Sequence, residues 1–180
     1  PASRSRIAWS PRRGLAIDDV AVQAESRSVR IALSSSTDKT TVQASPEALR
    51  LLAPNLLDNA MRHAPPGSEV QASVVHSGAA LELMIDDAGT GMSADERTRA
   101  FDRFYRGTQA SPGGSGLGLA SVYGIVQQNH GIVHVYSEPQ KGTTFRIYLR
   151  RHAGGAGRTE VRSGTEMPAG HGETVLIVED

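Results

Sequence analysis

Two carboxamides, a guanidinium and an imidazole recur at short intervals in one stretch of the chain: Asn55, Asn59, Arg62 and His63. On a helix, Asn55, Asn59 and Arg62 share one polar stripe. Leu49, Leu52, Leu56 and Ala60 form an apolar stripe beside it, and His63 falls between the two. A polar stripe flanking a core stripe lines a crevice rather than the open face. Carboxamides and a guanidinium suit phosphate oxygens and a hydrated Mg2+, which keeps several waters and takes few protein ligands. Alone, the same stripe is compatible with a solvated helix edge, and His63 with a packing residue.

Three further groups follow. Asp87-Ala88-Gly89-Thr90-Gly91 comes directly after an alternating run, and Asp87 continues the Leu81, Leu83, Ile85 parity. It therefore points to the covered side of a sheet. A carboxylate there is costly without a partner, and a ligand amino group would supply one. Gly89 and Gly91 let the backbone turn and approach closely. By itself this is also a tight turn with a solvated aspartate. In Phe101-Asp102-Arg103-Phe104-Tyr105-Arg106, the phenylalanines three apart anchor one helical face, and Arg103 and Arg106 can reach phosphate from another. Gly113-Gly114-Ser115-Gly116-Leu117-Gly118-Leu119 leads into a helix, where backbone N–H groups cradle phosphate. No Gly-Lys-Ser/Thr follows and no strand precedes, so this is neither a Walker loop nor a dinucleotide fingerprint. Alone it reads as a flexible linker.

The elements that must position these groups are legible in outline. Residues 1 to about 15 are basic and irregular. Strands are predicted over 29–33 and 41–44. Ser45-Pro46 opens a helix running to about Ala64, stopped by Pro65-Pro66-Gly67. Pro54 inside it predicts a kink or interruption. Two strands follow, carrying Val70, Ala72, Val74 and then Leu81, Leu83, Ile85. Ser93-Ala94-Asp95-Glu96 is a capping box, predicting a short helix to about Tyr105. Residues 106–116 form a loop, Leu117 to about Asn129 a helix, and 132–137 with 143–149 a hairpin. This order implies a two-layer α/β sandwich: a mixed, mostly antiparallel sheet of about five strands, covered on one face by three helices.

The bulk numbers narrow the function. The chain has 180 residues, enough for one domain with a core plus tails. Lys plus Arg equals Asp plus Glu at 19 each, so charge argues for neither nucleic acid nor an anionic membrane. Cysteine is absent, which excludes disulfides and thiolate metal sites. Aromatics are 4%, too few for base-stacking platforms. No apolar run is long enough to span a bilayer, so the expectation is a cytoplasmic segment without membrane contact.

Together and in this order, the Asn-x-x-x-Asn, Asp-x-Gly-x-Gly, Phe-x-x-Phe and glycine-rich groups resemble the N, G1, F and G2 boxes of sensor histidine kinases. The wider superfamily, which shares the Bergerat (GHKL) fold, includes type II topoisomerases and mismatch-repair ATPases. Asn55-Leu56-Leu57-Asp58-Asn59-Ala60 and Gly116-Leu117-Gly118-Leu119-Ala120 are similar to the kinase branch. Gly142-Thr143-Thr144-Phe145 is similar to its final glycine box. The resemblance covers residues 27–150. It implies ATP and Mg2+ as cofactors. Asp87 would accept from the adenine amino group, and His63 would sit against the base. Asn59 would hold Mg2+ with Asn55 close by, and Arg62 would contact the terminal phosphates. Residues 106–116 would form a lid, with Arg106 and Gly114 in it. Gly116, Leu117 and Gly118 would close on the triphosphate, and Thr143 of the final glycine box would also contact the nucleotide.

Hydrolytic relatives carry a glutamate at the place of Asn55, where it activates water. An amide cannot act as a base at neutral pH. The resemblance therefore implies phosphoryl transfer to a histidine on a separate dimerisation and phosphoacceptor domain, since none of the six histidines here sits in such a pattern. The expected organisation is an N-terminal segment or linker (1–26), the ATP-binding domain (27–150) and a flexible linker (151–172). Residues 173–180 would begin a receiver-like domain, on the strength of an apolar strand ending in Glu179 and Asp180. A monomer is expected. Two other readings stay open: a nucleotide-binding regulatory module without transfer, and a serine-directed kinase of the same superfamily.

Overall fold

A computed structural model of the chain describes residues 5–9, 17–36, 40–107, 114–151 and 174–176. The strands are β1 (Ser5–Trp9), β2 (Arg30–Ser35), β3 (Thr40–Ala44), β4 (Glu69–Ser77), β5 (Ala80–Asp87), β6 (Ile132–Ser137), β7 (Thr143–Arg150) and β8 (Thr174–Leu176). The helices are α1 (Ile17–Ser26), α2 (Pro46–His63), α3 (Ala94–Arg99) and α4 (Gly118–Gln128). The main sheet runs β2-β4-β5-β7-β6-β8. Only β2–β4 is parallel; its other pairings are antiparallel. β1 and β3 form a separate antiparallel pair, bridged to the main body between Val42 and Arg151.

Period-two alternation decides which face of the sheet is covered. Val70, Ala72 and Val74 of β4, Leu81, Leu83 and Ile85 of β5, and Phe145, Ile147 and Leu149 of β7 are all buried on one side. α2 lays Leu52, Leu56, Leu57 and Ala60 against them, and α4 adds Val122 and Val126. The opposite face carries Glu82, Met84, Arg146 and Tyr148, all partly exposed. The result is the two-layer sandwich expected from the element order.

Three local expectations change. Within the run 1 to about 15 expected to be irregular, Ser5–Trp9 is a strand, and the segment before residue 27 also contains a helix. These are β1 and α1, and Val20 and Ala24, four apart on α1, enter the common core. Helical spacing places Val20 and Ala24 on one face of a helix that is acidic, with Asp18, Asp19 and Glu25. α2 runs unbroken through Pro54 to His63. Proline deprives the Arg50 carbonyl of its usual N–H partner, but burial of the flanking Leu52, Ala53, Leu56 and Leu57 holds the helix together.

The third change concerns α3. It has its full capping box, with Ser93 Oγ accepting from Glu96 N–H and Glu96 Oε2 from Ser93 N–H. It nevertheless ends at Arg99 rather than near Tyr105. The Phe104 N–H donates to the Gly116 carbonyl (2.9 Å), and Phe104 takes φ +65°. A long-range contact thus replaces the next helical turn. Phe101 packs on the core, whereas Phe104 is 71% exposed, so the two phenylalanines do not share one buried face. At the far end, Thr174–Leu176 pairs with β6 at the sheet edge.

Candidate functional site

The polar stripe of α2 does line a crevice. Two adjoining cavities lie between α2, the segment after β5, α3 and the loop into α4. The first, about 140 Å³, is walled by Asn59, Arg62, His63, Gly91, Arg106, Gly114, Gly116 and Thr143 among others. The second, about 290 Å³, is walled by Asn55, Asp58, Asn59, Arg62 and the run Gly114 to Leu119. Asn59, Arg62, Gly114 and Gly116 belong to both walls and mark where they meet.

At the closed end of the first cavity the sheet contributes a polar row. Asp87, Thr143 and Ser137 are cross-strand neighbours on β5, β7 and β6, and all three are buried. Asp87 is 4% exposed. Its carboxylate accepts from the Gly89 N–H at 2.8 Å and from the Thr143 N–H. Burial pushes its pKa up to about 6, partly offset by those N–H bonds. It is thus an acceptor-only carboxylate at neutral pH, with no salt-bridge partner among the described residues. Gly89 is obligatory here on space: a Cβ would lie 2.6 Å from Asp87 Oδ1 and 2.7 Å from the His63 carbonyl. The cavity reaches Thr143; Asp87 is its register partner on β5, and neither Asp87 nor Gly89 lines the cavity itself.

His63, at the end of α2, faces the first cavity. Burial first, and the neighbouring Arg62 second, hold its pKa below the ordinary 6.5, so the ring is neutral at pH 7. Arg62 is oriented by Asp58, whose Oδ2 accepts from Arg62 Nε at 2.7 Å and whose Oδ1 accepts from Arg27 at 3.1 Å. Asn55 donates through Nδ2 to the Leu51 carbonyl at 2.8 Å, which turns its Oδ1 towards Gly118. Both carboxamides thus serve the second cavity, where an Mg2+ would need only one or two protein oxygens.

The second cavity opens onto the start of α4. Leu117 is the N-cap residue and makes no side-chain cap, so the first-turn N–H groups face the cavity without one. Gly116 sits at φ +68°, and a Cβ there would lie 2.8 Å from both Phe104 Cα and the Tyr105 carbonyl. Leu117 and Gly118 wall this cavity, while Arg106 and Gly91 wall the first. Arg103 is exposed and borders neither. The middle of the expected lid, residues 108–113, lies outside the described residues, and so does Gly113 of the glycine run.

Several wall residues escaped the sequence reading. Asp58 lies three after Asn55 and four before Arg62, so the stripe itself could have exposed it. Thr90, Met92 and Glu96 line the first cavity, and Tyr105 and Leu119 line both, but no spacing rule points to them. Ser137 follows only from the hairpin register. Chemically, the arrangement offers a slot backed by acceptors, joined at Arg62 to a compartment that offers carboxamides and the N–H groups at the start of α4. Such a shape fits a base carrying an exocyclic amine at one end and a polyphosphate at the other.

Known proteins share this fold and parts of this sequence. The family model for histidine kinase-, DNA gyrase B- and HSP90-like ATPases matches residues 44–153. Sensor-like histidine kinase SenX3 of Mycobacterium tuberculosis (strain ATCC 25618 / H37Rv) is 40% identical over 98 residues, covering 53% of this chain and 24% of SenX3. Sensor histidine kinase ZraS of Escherichia coli (strain K12) is 32% identical over 130 residues, covering 72% of this chain and 27% of ZraS. The chain spans about a quarter of the length of these curated relatives. The solved mycobacterial sensor histidine kinase MprB superposes with a TM-score of 0.70 at 26% identity, covering 83% of this chain and 98% of that one. The chain therefore belongs to the histidine kinase-, DNA gyrase B- and HSP90-like ATPase family, as an ATP-binding catalytic domain homologous to those of sensor histidine kinases.

Proposed function

We propose that this chain binds ATP across the paired cavities and transfers its γ-phosphoryl group to a histidine on a separate phosphoacceptor domain. The observation that carries this is the joined pair itself. A slot ending at buried acceptors meets, at Asn59 and Arg62, a compartment formed by the uncapped start of α4. Asp87 accepts from the adenine amino group, and neutral His63 lies against the base. Asn59 would hold Mg2+, with Asn55 close by in the same wall, so that phosphate charge would be neutralised there. Arg62 and Arg106 reach the phosphates, and Gly114, Gly116, Leu117 and Gly118 close over them.

Asn55 supports transfer over hydrolysis, because its amide cannot deprotonate water. Catalysis then rests on positioning and charge neutralisation. A lone pair of the incoming imidazole nitrogen forms the N–P bond. The bond from the γ-phosphorus to its bridging oxygen breaks, and ADP leaves with that electron pair. In this reading, residues 27–150 act as the nucleotide-binding unit, assisted by α1, and 151–172 as a linker. The apolar run ending in Glu179 and Asp180 supports a receiver domain downstream. A cytoplasmic location follows from the use of ATP, and no described helix is long and apolar enough to cross a membrane.

The test is incubation with γ-labelled ATP and a histidine-containing phosphoacceptor domain. The expected product is an acid-labile, base-stable phosphohistidine on the partner. Label on an acid-stable phosphoserine, or nucleotide binding with no transfer across a panel of such domains, contradicts the reading.

A further inference from the structure

The polar row behind the first cavity contains a hydroxyl whose hydrogen bonds are fully allocated. Ser137 Oγ donates to the Gly142 carbonyl at 2.8 Å, because a carbonyl oxygen can only accept. It accepts from the Met92 N–H at 2.8 Å. Its third partner is Thr143 Oγ1 at 3.0 Å. A serine hydroxyl has one proton and two lone pairs, and its proton is already given to Gly142. Thr143 must therefore be the donor in the Ser137–Thr143 contact.

This fixes what Thr143 presents to the cavity it lines. With its proton turned towards Ser137, Thr143 Oγ1 offers lone pairs alone. Asp87, its neighbour across the β5–β7 register, is likewise an acceptor. Two adjacent groups thus demand donors from the ligand edge. A 6-aminopurine brings an N–H pair to that place. A 6-oxopurine brings an oxygen in place of that amine, and lone pairs would face lone pairs at the 6-substituent, where the discrimination lies; its N1–H is a donor and is not discriminated against.

We infer that Ser137 is a positioning residue that sets base selectivity, by holding the Thr143 proton away from the nucleotide and so favouring a 6-amino over a 6-oxo purine. The inference rests on the nucleotide reading above. Ser137 touches no nucleotide atom in this account; it acts through Thr143. Without it the Thr143 hydroxyl rotates and can donate to a 6-oxo group.

The experiment measures dissociation constants of ATP and inosine 5′-triphosphate for the full 180-residue chain and its variants, by calorimetry with Mg2+ present. The unaltered chain is expected to prefer ATP. Ser137→Ala is expected to reduce the ATP-to-inosine-triphosphate preference by about 5- to 10-fold, the worth of one hydrogen bond gained by the wrong base. Most of that change should come from tighter inosine triphosphate binding. Ser137→Cys, which keeps the volume with a poorer hydrogen-bonding group, should give a smaller change in the same direction and serves if the alanine variant does not fold. With Thr143→Val as background, Ser137→Ala should leave the preference unchanged. An equal loss of affinity for both nucleotides, or an unaltered preference in both serine variants, overturns the inference. Failure of the unaltered chain to bind ATP at all would instead overturn the functional reading beneath it.

Discussion

Asp87 pays for its position in stability, and the sign can be worked out. Its folded-state pKa is raised from 3.8 to about 6, with burial as the main cause. The neutral acid is therefore the form that the empty fold prefers. The favourable contribution is complete below about pH 4 and is lost as pH rises through about 6. Above pH 7 the ionised carboxylate is a net burden on the nucleotide-free domain. Asp87→Asn is expected to raise the unfolding free energy of that domain by about 1–2 kcal/mol at pH 7.5 and to leave it unchanged at pH 4. Urea unfolding at the two pH values checks this; a variant less stable at pH 7.5 would show that the carboxylate is structural. Strand parity was enough to place Asp87 on the covered face. The Ser137–Thr143 contact was beyond such a reading, because its direction depends on the Gly142 carbonyl in the hairpin turn taking the Ser137 proton. The exposure of Phe104 was equally hidden, since a backbone bond to Gly116 reverses its orientation.

At the scale of elements, α2 carries the site and also an internal fault. Pro54 leaves the Arg50 carbonyl without its helical donor, yet the helix continues and Asn55 is anchored on the Leu51 carbonyl. Pro54→Ala should stabilise the fold by about 1–3 kcal/mol, within the range of an interior helical proline. ATP affinity should stay within about twofold, because an acceptor other than residue 54 orients Asn55. Thermal unfolding with and without ATP checks both parts; a lower melting temperature would mean that the proline ring fills space the helix needs. The stripe on α2, the alternation in β4, β5 and β7 and the capping box of α3 were all readable, because each depends on local periodicity. The extent of α2 was readable as well, whereas its passage through Pro54 without a break and the end of α3 were not. Both are decided by contacts remote in sequence, which override intrinsic propensity.

At the scale of the molecule, one covered sheet face does two jobs. Its middle packs Phe145, Ile147 and Ile85 beneath α2 and α4, while its end turns polar at Asp87, Thr143 and Ser137 and closes the first cavity. The layer arrangement was legible from element order. The contribution of α1 was not, since ten residues bearing two buried small side chains give a weak signal until the rest of the core is in place. We propose that this polar end holds an adenine nucleotide. This is tested most directly by titrating ATP into the 180-residue chain and into Asp87→Asn at pH 7.5. Saturable one-to-one binding by the unaltered chain, weakened by at least about tenfold in the variant, is the predicted result. ATP binding of undiminished strength in a folded Asp87→Asn chain would contradict it.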